Sequence, residues 1–270
     1  MSRYAALFLL LLPYIYFSEG YKYRLITRED SFDRCRNLKC EDGQPHSICL
    51  KANGPSANCA EFEILKMTAK RKNILINGHN GIRNKIAGYF HIANMLLLHW
   101  DEDLHEMARG FLTRCTRGKD SCNFIYNDTF TVGQTYYFNP KLPLNRFVIT
   151  IMRHWFLEAN DIETFADFMK QKPPNMTQMT YPPTEFLGCA AAEMFGGHIM
   201  RCYYSPAFND DPKAYIIGKP CSECPTERAS CSRVFHGLCG VDLPLPGNGC
   251  RLRINFILLF LSIMFYMAYI

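Results

Sequence analysis

Thirteen cysteines punctuate this 270-residue sequence, and their placement limits the fold more than any other feature. Twelve lie between Cys35 and Cys239, and the remaining one is Cys250. An even set of cysteines in a chain that passes through an oxidising compartment reads as a disulfide framework. The question is therefore whether the chain is exported, and whether Cys250 stays with it.

Both ends speak to that. After Ser2-Arg3, residues 4–17 are almost wholly apolar, and Ser18-Glu19-Gly20 places small residues where a signal peptidase reads. This predicts a secretory signal over residues 1–20, cleaved between Gly20 and Tyr21. A stretch of about fourteen apolar residues is short for a membrane span. At the other end residues 254–270 carry no charge, and Gly247-Asn248-Gly249 precede Arg251 and Arg253. Small residues, a polar spacer and an apolar tail are the layout of a GPI-anchor signal, with Asn248 as the candidate attachment residue. The alternative is a tail-less transmembrane helix. Cleavage at residues 247–249 would discard Cys250 and leave the even set. A retained Cys250 would be a free or intermolecular thiol, or an acylation site.

Between these ends roughly 225 residues remain, enough for one core with a small appendage. The formal charge of +5 falls to +3 once Arg3, Arg251, Arg253 and Glu19 go, and no basic stripe remains to suggest a nucleic-acid partner.

The spacing of apolar residues divides what is left. Residues 21–62 are polar and irregular, with Cys35, Cys40, Cys49 and Cys59 among Gly, Pro and Asn, which reads as a disulfide-bonded extension. Residues 63–218 form the main domain, 219–240 a small cysteine-rich tail, and 241–270 the C-terminal signal or membrane segment. Leu75, His79, Ile82 and Ile86 make one stripe of a helix over residues 69–86. Leu104, Met107, Ala108 and Phe111 do the same over residues 102–115, and Phe147, Ile151, Trp155 and Glu158 over residues 144–159. From Met176 the pattern is that of strands: residues 176–181, then 186–194, a Gly196-Gly197 turn, and 199–204. That hairpin would bring Cys189 and Cys202 together.

Two polar residues stand on core-facing stripes. A histidine such as His79 is ordinarily a hydrogen-bonded core residue there, and a carboxylate such as Glu158 must be paired or hydrogen-bonded. Their surroundings carry an ordered set of motifs: His79-Asn80-x-x-Arg83-Asn84, Trp100-Asp101-Glu102, Val132-Gly133-Gln134 and Trp155-x-x-Glu158. Then follow Thr177-Gln178-Met179, Gly188-Cys189-Ala190, Cys202-Tyr203-Tyr204-Ser205-Pro206 and Gly218-Lys219-Pro220-Cys221.

In these motifs the chain resembles the CAP superfamily of cysteine-rich secretory proteins, antigen-five allergens and pathogenesis-related proteins, over about residues 35–239. The N-terminal cysteine segment and Gly-Gln in place of Gly-Glu-Asn resemble the insect venom-allergen branch. The resemblance implies an α+β, three-layer α-β-α sandwich. It also implies disulfides Cys35–Cys49, Cys40–Cys122, Cys59–Cys115, Cys189–Cys202, Cys221–Cys231 and Cys224–Cys239, each contributing about 2–4 kcal/mol.

Relatives carry a cavity of two histidines and two acids, and some hold a divalent metal there. Carried over residue by residue, the resemblance puts His79 and Glu158 in that cavity, with Gln134 in place of the other acid and Asn175 in place of the second histidine. Zinc selects imidazole, thiolate and carboxylate, commonly three or more together. Two ligands are too few, so no metal, cofactor or catalytic residue is expected, and no serine has a nucleophile-elbow context.

Asn127-Asp128-Thr129 and Asn175-Met176-Thr177 are N-glycosylation acceptors. A glycan on Asn175 would cap the cavity; a buried Asn175 would stay bare. The expectation is an extracellular, non-catalytic binding module for a lipid, sterol or protein ligand, held to a membrane by its C-terminal anchor. A metal-dependent hydrolase and a venom- or saliva-type effector are the alternatives.

Overall fold

Alternation along one strand pair sets the layers of this molecule. The computed structural model describes residues 40–50, 59, 61–125, 130–140 and 146–244. The predicted signal, Cys35, Asn127, Asn248, Cys250 and the apolar C-terminal segment lie outside the described residues. Strands β6 (Phe186–Met194) and β7 (Gly197–Ser205) form an antiparallel hairpin. Side chains of successive strand residues point to opposite faces. Leu187, Cys189 and Ala191 of β6 with Met200, Cys202 and Tyr204 of β7 bury one face. Ala190, Ala192 and Met194 with Ile199 and Tyr203 bury the other.

The hairpin is the middle of a five-stranded sheet. β1 (Glu63–Leu65) runs antiparallel to the end of β6, and β2 (His99–Trp100) runs parallel to its start. On the far side β5 (Gly133–Asn139) pairs antiparallel with β7, placing Gln134 opposite Tyr203 and Thr135 opposite Cys202. A separate two-stranded ribbon joins β3 (Phe124–Ile125) to β4 (Phe130–Thr131).

Helices cover both faces, and their apolar stripes match the periodicity in the sequence. α1 (Ala69–Tyr89) starts at Thr68, whose hydroxyl accepts from Arg71 N, and buries Leu75, Ile76, His79, Arg83 and Ile86. α2 (Glu102–Leu112) is capped by Asp101, whose carboxylate accepts from Leu104 N at 2.8 Å. α3 (Phe147–Leu157) buries Phe147, Ile151 and Trp155. α1 and α3 pack with the Cys189–Tyr204 face, and α2 with the opposite one. α2 comes so close that a Cβ on Gly188 would lie 2.2 Å from His105 N, so only glycine fits there. The outcome is a three-layer α-β-α arrangement. α4 (Phe165–Gln171) and α5 (Pro174–Met179) follow α3.

Two expectations change. Residues 176–181 are not a strand: residues 174–179 form helix α5. Pro174 at its first position has a φ already set for a helix. The N–H groups of Asn175 and Met176, which no helical turn can satisfy, donate to the Glu158 carboxylate. The hairpin also turns one residue earlier than Gly196-Gly197. Phe195 and Gly196 occupy it, with φ of 56° and 67°, the double positive φ that a two-residue turn needs to match strand twist. Gly197 is already the first residue of β7.

The disulfides are Cys40–Cys122, Cys59–Cys115, Cys189–Cys202, Cys221–Cys231 and Cys224–Cys239. These are pairs that the resemblance implies. Cys49 is also disulfide-bonded, while its expected partner Cys35 lies outside the described residues. The tail is stitched to the main domain by backbone as well: Leu97 N donates to Cys239 O and Cys239 N to Met95 O, both at 2.8 Å.

Candidate functional site

His79 is completely buried on α1. Its Nδ1 lies 2.8 Å from Leu75 O and its Nε2 2.9 Å from the Tyr204 hydroxyl. A carbonyl can only accept, so Nδ1 carries the proton. Burial pushes the ring pKa down to about 4, so the ring is neutral near pH 7 and Nε2 is an acceptor. Tyr204 therefore donates to Nε2, and Thr135 Oγ1, 3.1 Å away, donates to Tyr204. The same burial raises the Tyr204 pKa well above the usual phenol range. The lone pair that a metal would need is already in use.

Glu158 sits just past the end of α3. Its Oε2 accepts from Asn175 N at 2.9 Å and Met176 N at 3.2 Å, and its Oε1 accepts from Asn175 Nδ2. A carboxylate at the start of a helix satisfies orphan N–H groups and meets the positive end of the backbone dipole. Glu158 thus fastens α3 to α5, with Asn175 as its partner.

The four residues expected to share a cavity do not. Glu158 and Asn175 touch, and His79 sits on the same side of the sheet, its ring 6.2 Å from that of Trp155 one turn before Glu158. Gln134 is on the opposite side. It faces the way Tyr203 does, because the two are register partners. Its Oε1 accepts from Asp120 N at 2.8 Å and Arg201 Nη1 at 2.6 Å, and its Nε2 donates to Asp120 O at 2.8 Å. The period of two along β5 decides this: the residues it turns toward His79 are Gly133 and Thr135. The donor set near His79 does not fit a zinc ion.

On that opposite side lies a polar cluster that the sequence reading missed. Asp120 is 3% exposed, and its Oδ2 accepts from Ser47 Oγ at 2.8 Å and the Tyr203 hydroxyl at 2.6 Å. Its Oδ1 accepts from Cys122 N at 3.0 Å. Arg201, fully buried, donates to Gln134 and to Gly118 O, and its guanidinium lies 4.0 Å above the Phe111 ring. Its pKa is lowered by burial. The cluster ties the N-terminal extension, the loop before β3 and the sheet together. Its signal was an arginine inside the apolar run Ile199-Met200-Arg201-Cys202.

Arg83, one turn after His79, was a second missed signal. It is fully buried and donates to the carbonyls of Leu96, Met179, Tyr181, Pro182 and Thr184. Burial lowers its pKa to about 9. It bridges α1 to the segments either side of Pro182.

Asn175 is part-buried and its amide is held by Glu158, so a glycan there would have to break that bond. Among the described residues one cluster has metal-ligand spacing: the sulfurs of Cys221, Cys224 and Cys239 lie within 4.8 Å of one another. All three are in disulfides. No helix of the described residues is long and apolar enough to cross a membrane.

A family model described as the cysteine-rich secretory protein family, CAP, matches residues 76–204. A venom allergen 5 from Tityus serrulatus is 28% identical over 259 residues, covering 84% of this chain and 55% of its own length. The antigen 5 like allergen Cul n 1 from Culicoides nubeculosus is 31% identical over 159 residues, covering 53% of this chain and 72% of its own. The chain spans 55% of the Tityus allergen and 64% of a second venom allergen 5, from Lycosa singoriensis. Among solved structures, Na-ASP-1 superposes with a TM-score of 0.54 at 21% identity, over 74% of this chain and 54% of that one. NaASP2 with Zn2+ superposes with a TM-score of 0.53 at 17% identity, over 70% of this chain and 100% of that one.

Proposed function

The chain belongs to the CAP family of cysteine-rich secretory proteins, as a venom allergen 5-like member, and from that premise we propose that it is an extracellular recognition module without catalysis of its own. One observation carries this reading: both polar residues that remain of the family's cavity are committed to the fold. His79 Nε2 is bonded to Tyr204, and the Glu158 carboxylate holds the start of α5.

A metal-dependent hydrolase needs converging lone pairs and an open position for water. Here Gln134 is turned away and Asn175 is an amide, a weak ligand for zinc. The disulfides give a rigid scaffold suited to presenting loops outside the cell. Relatives are named as venom proteins and allergens, which supports export. In this reading the ligand is an extracellular lipid, sterol or protein, and the apolar C-terminal segment anchors the module to a membrane.

The test is zinc titration of the purified protein by calorimetry, with peptide hydrolysis measured with and without chelator. The expected result is no stoichiometric uptake and no chelator-sensitive hydrolysis. Chelator-sensitive hydrolysis that His79→Ala abolishes would establish the hydrolase instead.

A further inference from the structure

The cysteine-rich tail holds two disulfides whose sulfurs crowd together. Cys221–Cys231 and Cys224–Cys239 lie side by side, with Cys221 Sγ only 3.4 Å from Cys224 Sγ. Cys239 Sγ is within 4.8 Å of both. Cys221 and Cys224 also form a Cys-Ser-Glu-Cys motif, a spacing that lets two cysteines bond to each other and favours the thiolate.

The other two cysteines are matched as well. Cys231 and Cys239 are direct partners in an isolated antiparallel bridge. Its hydrogen bonds run from Ser232 N to Leu238 O and from Gly240 N to Ser230 O, on either side of the pair. That makes it a non-hydrogen-bonded pair, the kind in which Cα atoms approach to about 4.5 Å, inside the range a disulfide accepts. Cys189 and Cys202 are likewise register partners across two strands, 4.1 Å apart at Cα, and they are bonded. Both alternative pairs, Cys221–Cys224 and Cys231–Cys239, are therefore close in the native backbone.

We propose that the tail is a thiol-triggered disulfide switch, isomerising between Cys221–Cys231 with Cys224–Cys239 and Cys221–Cys224 with Cys231–Cys239. The trigger is a small extracellular monothiol of the glutathione class. Cys231 is exposed, whereas Cys239 is 1% exposed, so the incoming thiolate attacks Cys231 Sγ. A mixed disulfide forms there, the Cys221–Cys231 bond breaks, and Cys221 leaves as a thiolate. Cys221 then attacks Cys224 Sγ beside it, forming Cys221–Cys224 and releasing Cys239 as a thiolate. Cys239 attacks Cys231 Sγ across the bridge, forming Cys231–Cys239 and returning the monothiol. Nothing is oxidised or reduced overall, and the proton lost by the monothiol in the first step is regained in the last.

The two states fasten the tail differently. In the native pairing both bridges cross from the Cys221–Cys224 turn to the segment at residues 231–239, which is bonded to Met95 and Leu97. In the alternative pairing each bridge closes a loop within its own segment, and no disulfide joins the turn to residues 231–239.

Tryptic mapping without reduction separates the states. Cleavage after Lys213, Arg228 and Arg233 gives one peptide with Cys221 and Cys224, one with Cys231, and one starting at Val234 with Cys239. Natively all three are joined. After isomerisation the first is released with an internal disulfide, and the other two stay linked. The folded protein is incubated anaerobically with reduced glutathione, acid-quenched, alkylated and digested. The released peptide is expected to appear about tenfold faster than any opening of Cys189–Cys202, whose sulfurs are buried. In a Cys221→Ser, Cys231→Ser double variant Cys224–Cys239 is expected to survive the same treatment. Persistence of the three-way peptide until all bridges reduce together would overturn the switch, as would loss of Cys224–Cys239 in the double variant at the wild-type rate.

Discussion

Tyr203 and Tyr204 are adjacent in the chain and anchor different chemistries on opposite faces of β7. Tyr204 joins a neutral relay of Thr135, its own hydroxyl and His79. Tyr203 donates to the buried Asp120 carboxylate, within a cluster that includes Arg201, Gln134 and Ser47. The His79 face buries a cation too, Arg83, but its donors go to backbone carbonyls. The buried Asp120 carboxylate with its neighbour Arg201, and the tie to the N-terminal extension, are on the face that packs against α2. A buried network of this kind stands or falls as a unit, because each member left unpaired carries its full desolvation penalty.

The comparison breaks most sharply at Asp120. Asp120→Ala leaves Tyr203, Ser47 and Cys122 N without an acceptor and Arg201 without its nearby anion. Removing one member of such a buried set costs about 3–5 kcal/mol, measured as a lower denaturation midpoint. An unchanged midpoint would show that the cluster is not a unit.

On the other face the largest handle is pH. The folded-state pKa of His79 is depressed to about 4 from 6.5 by burial. Above pH 6.5 the ring is neutral in both states, and its contribution is fully present. As pH falls from 6.5 toward 4 the unfolded chain takes up a proton that the folded chain refuses. Stability then drops by about 3 kcal/mol from this group. Wild type should show this loss between pH 6.5 and 4 and His79→Gln should lack it; parallel curves would place the ring in a less buried setting.

The two tyrosines give a matched pair of smaller effects. Tyr203→Phe removes a hydrogen bond to a charged acceptor and should cost about 2–3 kcal/mol, against about 1 kcal/mol for Tyr204→Phe. Equal losses in urea unfolding would erase the distinction between the faces. Smallest of all is Gln134→Glu. It restores an acid at the expected position, yet the structure turns that side chain toward Arg201. Calorimetry should therefore detect no gain in zinc uptake, and a gain would mean that β5 can flip its register.

Much of the architecture was legible because local rules produced it. Helices α1, α2 and α3 follow from apolar residues at helical spacing, and Cys189–Cys202 follows from a hairpin with its turn. The short strands β1 and β2 were not legible, because two or three residues carry no period. Residues 176–181 misled, because Met176, Met179 and Tyr181 suit a strand, while the carboxylate that starts α5 comes from Glu158, far back in the sequence.

By itself the sequence determined the apolar stripe of each long helix, that cysteines would brace the chain, and that His79 would be a core histidine. Tertiary structure decided which face of the sheet each polar residue serves. Gln134 and Thr135 differ by one step along β5, and that step separates the Arg201 cluster from the His79 relay. The direction a strand side chain takes is set by register with its neighbour, here Tyr203 and Cys202 of β7. Register is a long-range property, fixed by which pairing buries the most apolar surface and leaves the fewest polar groups unpaired.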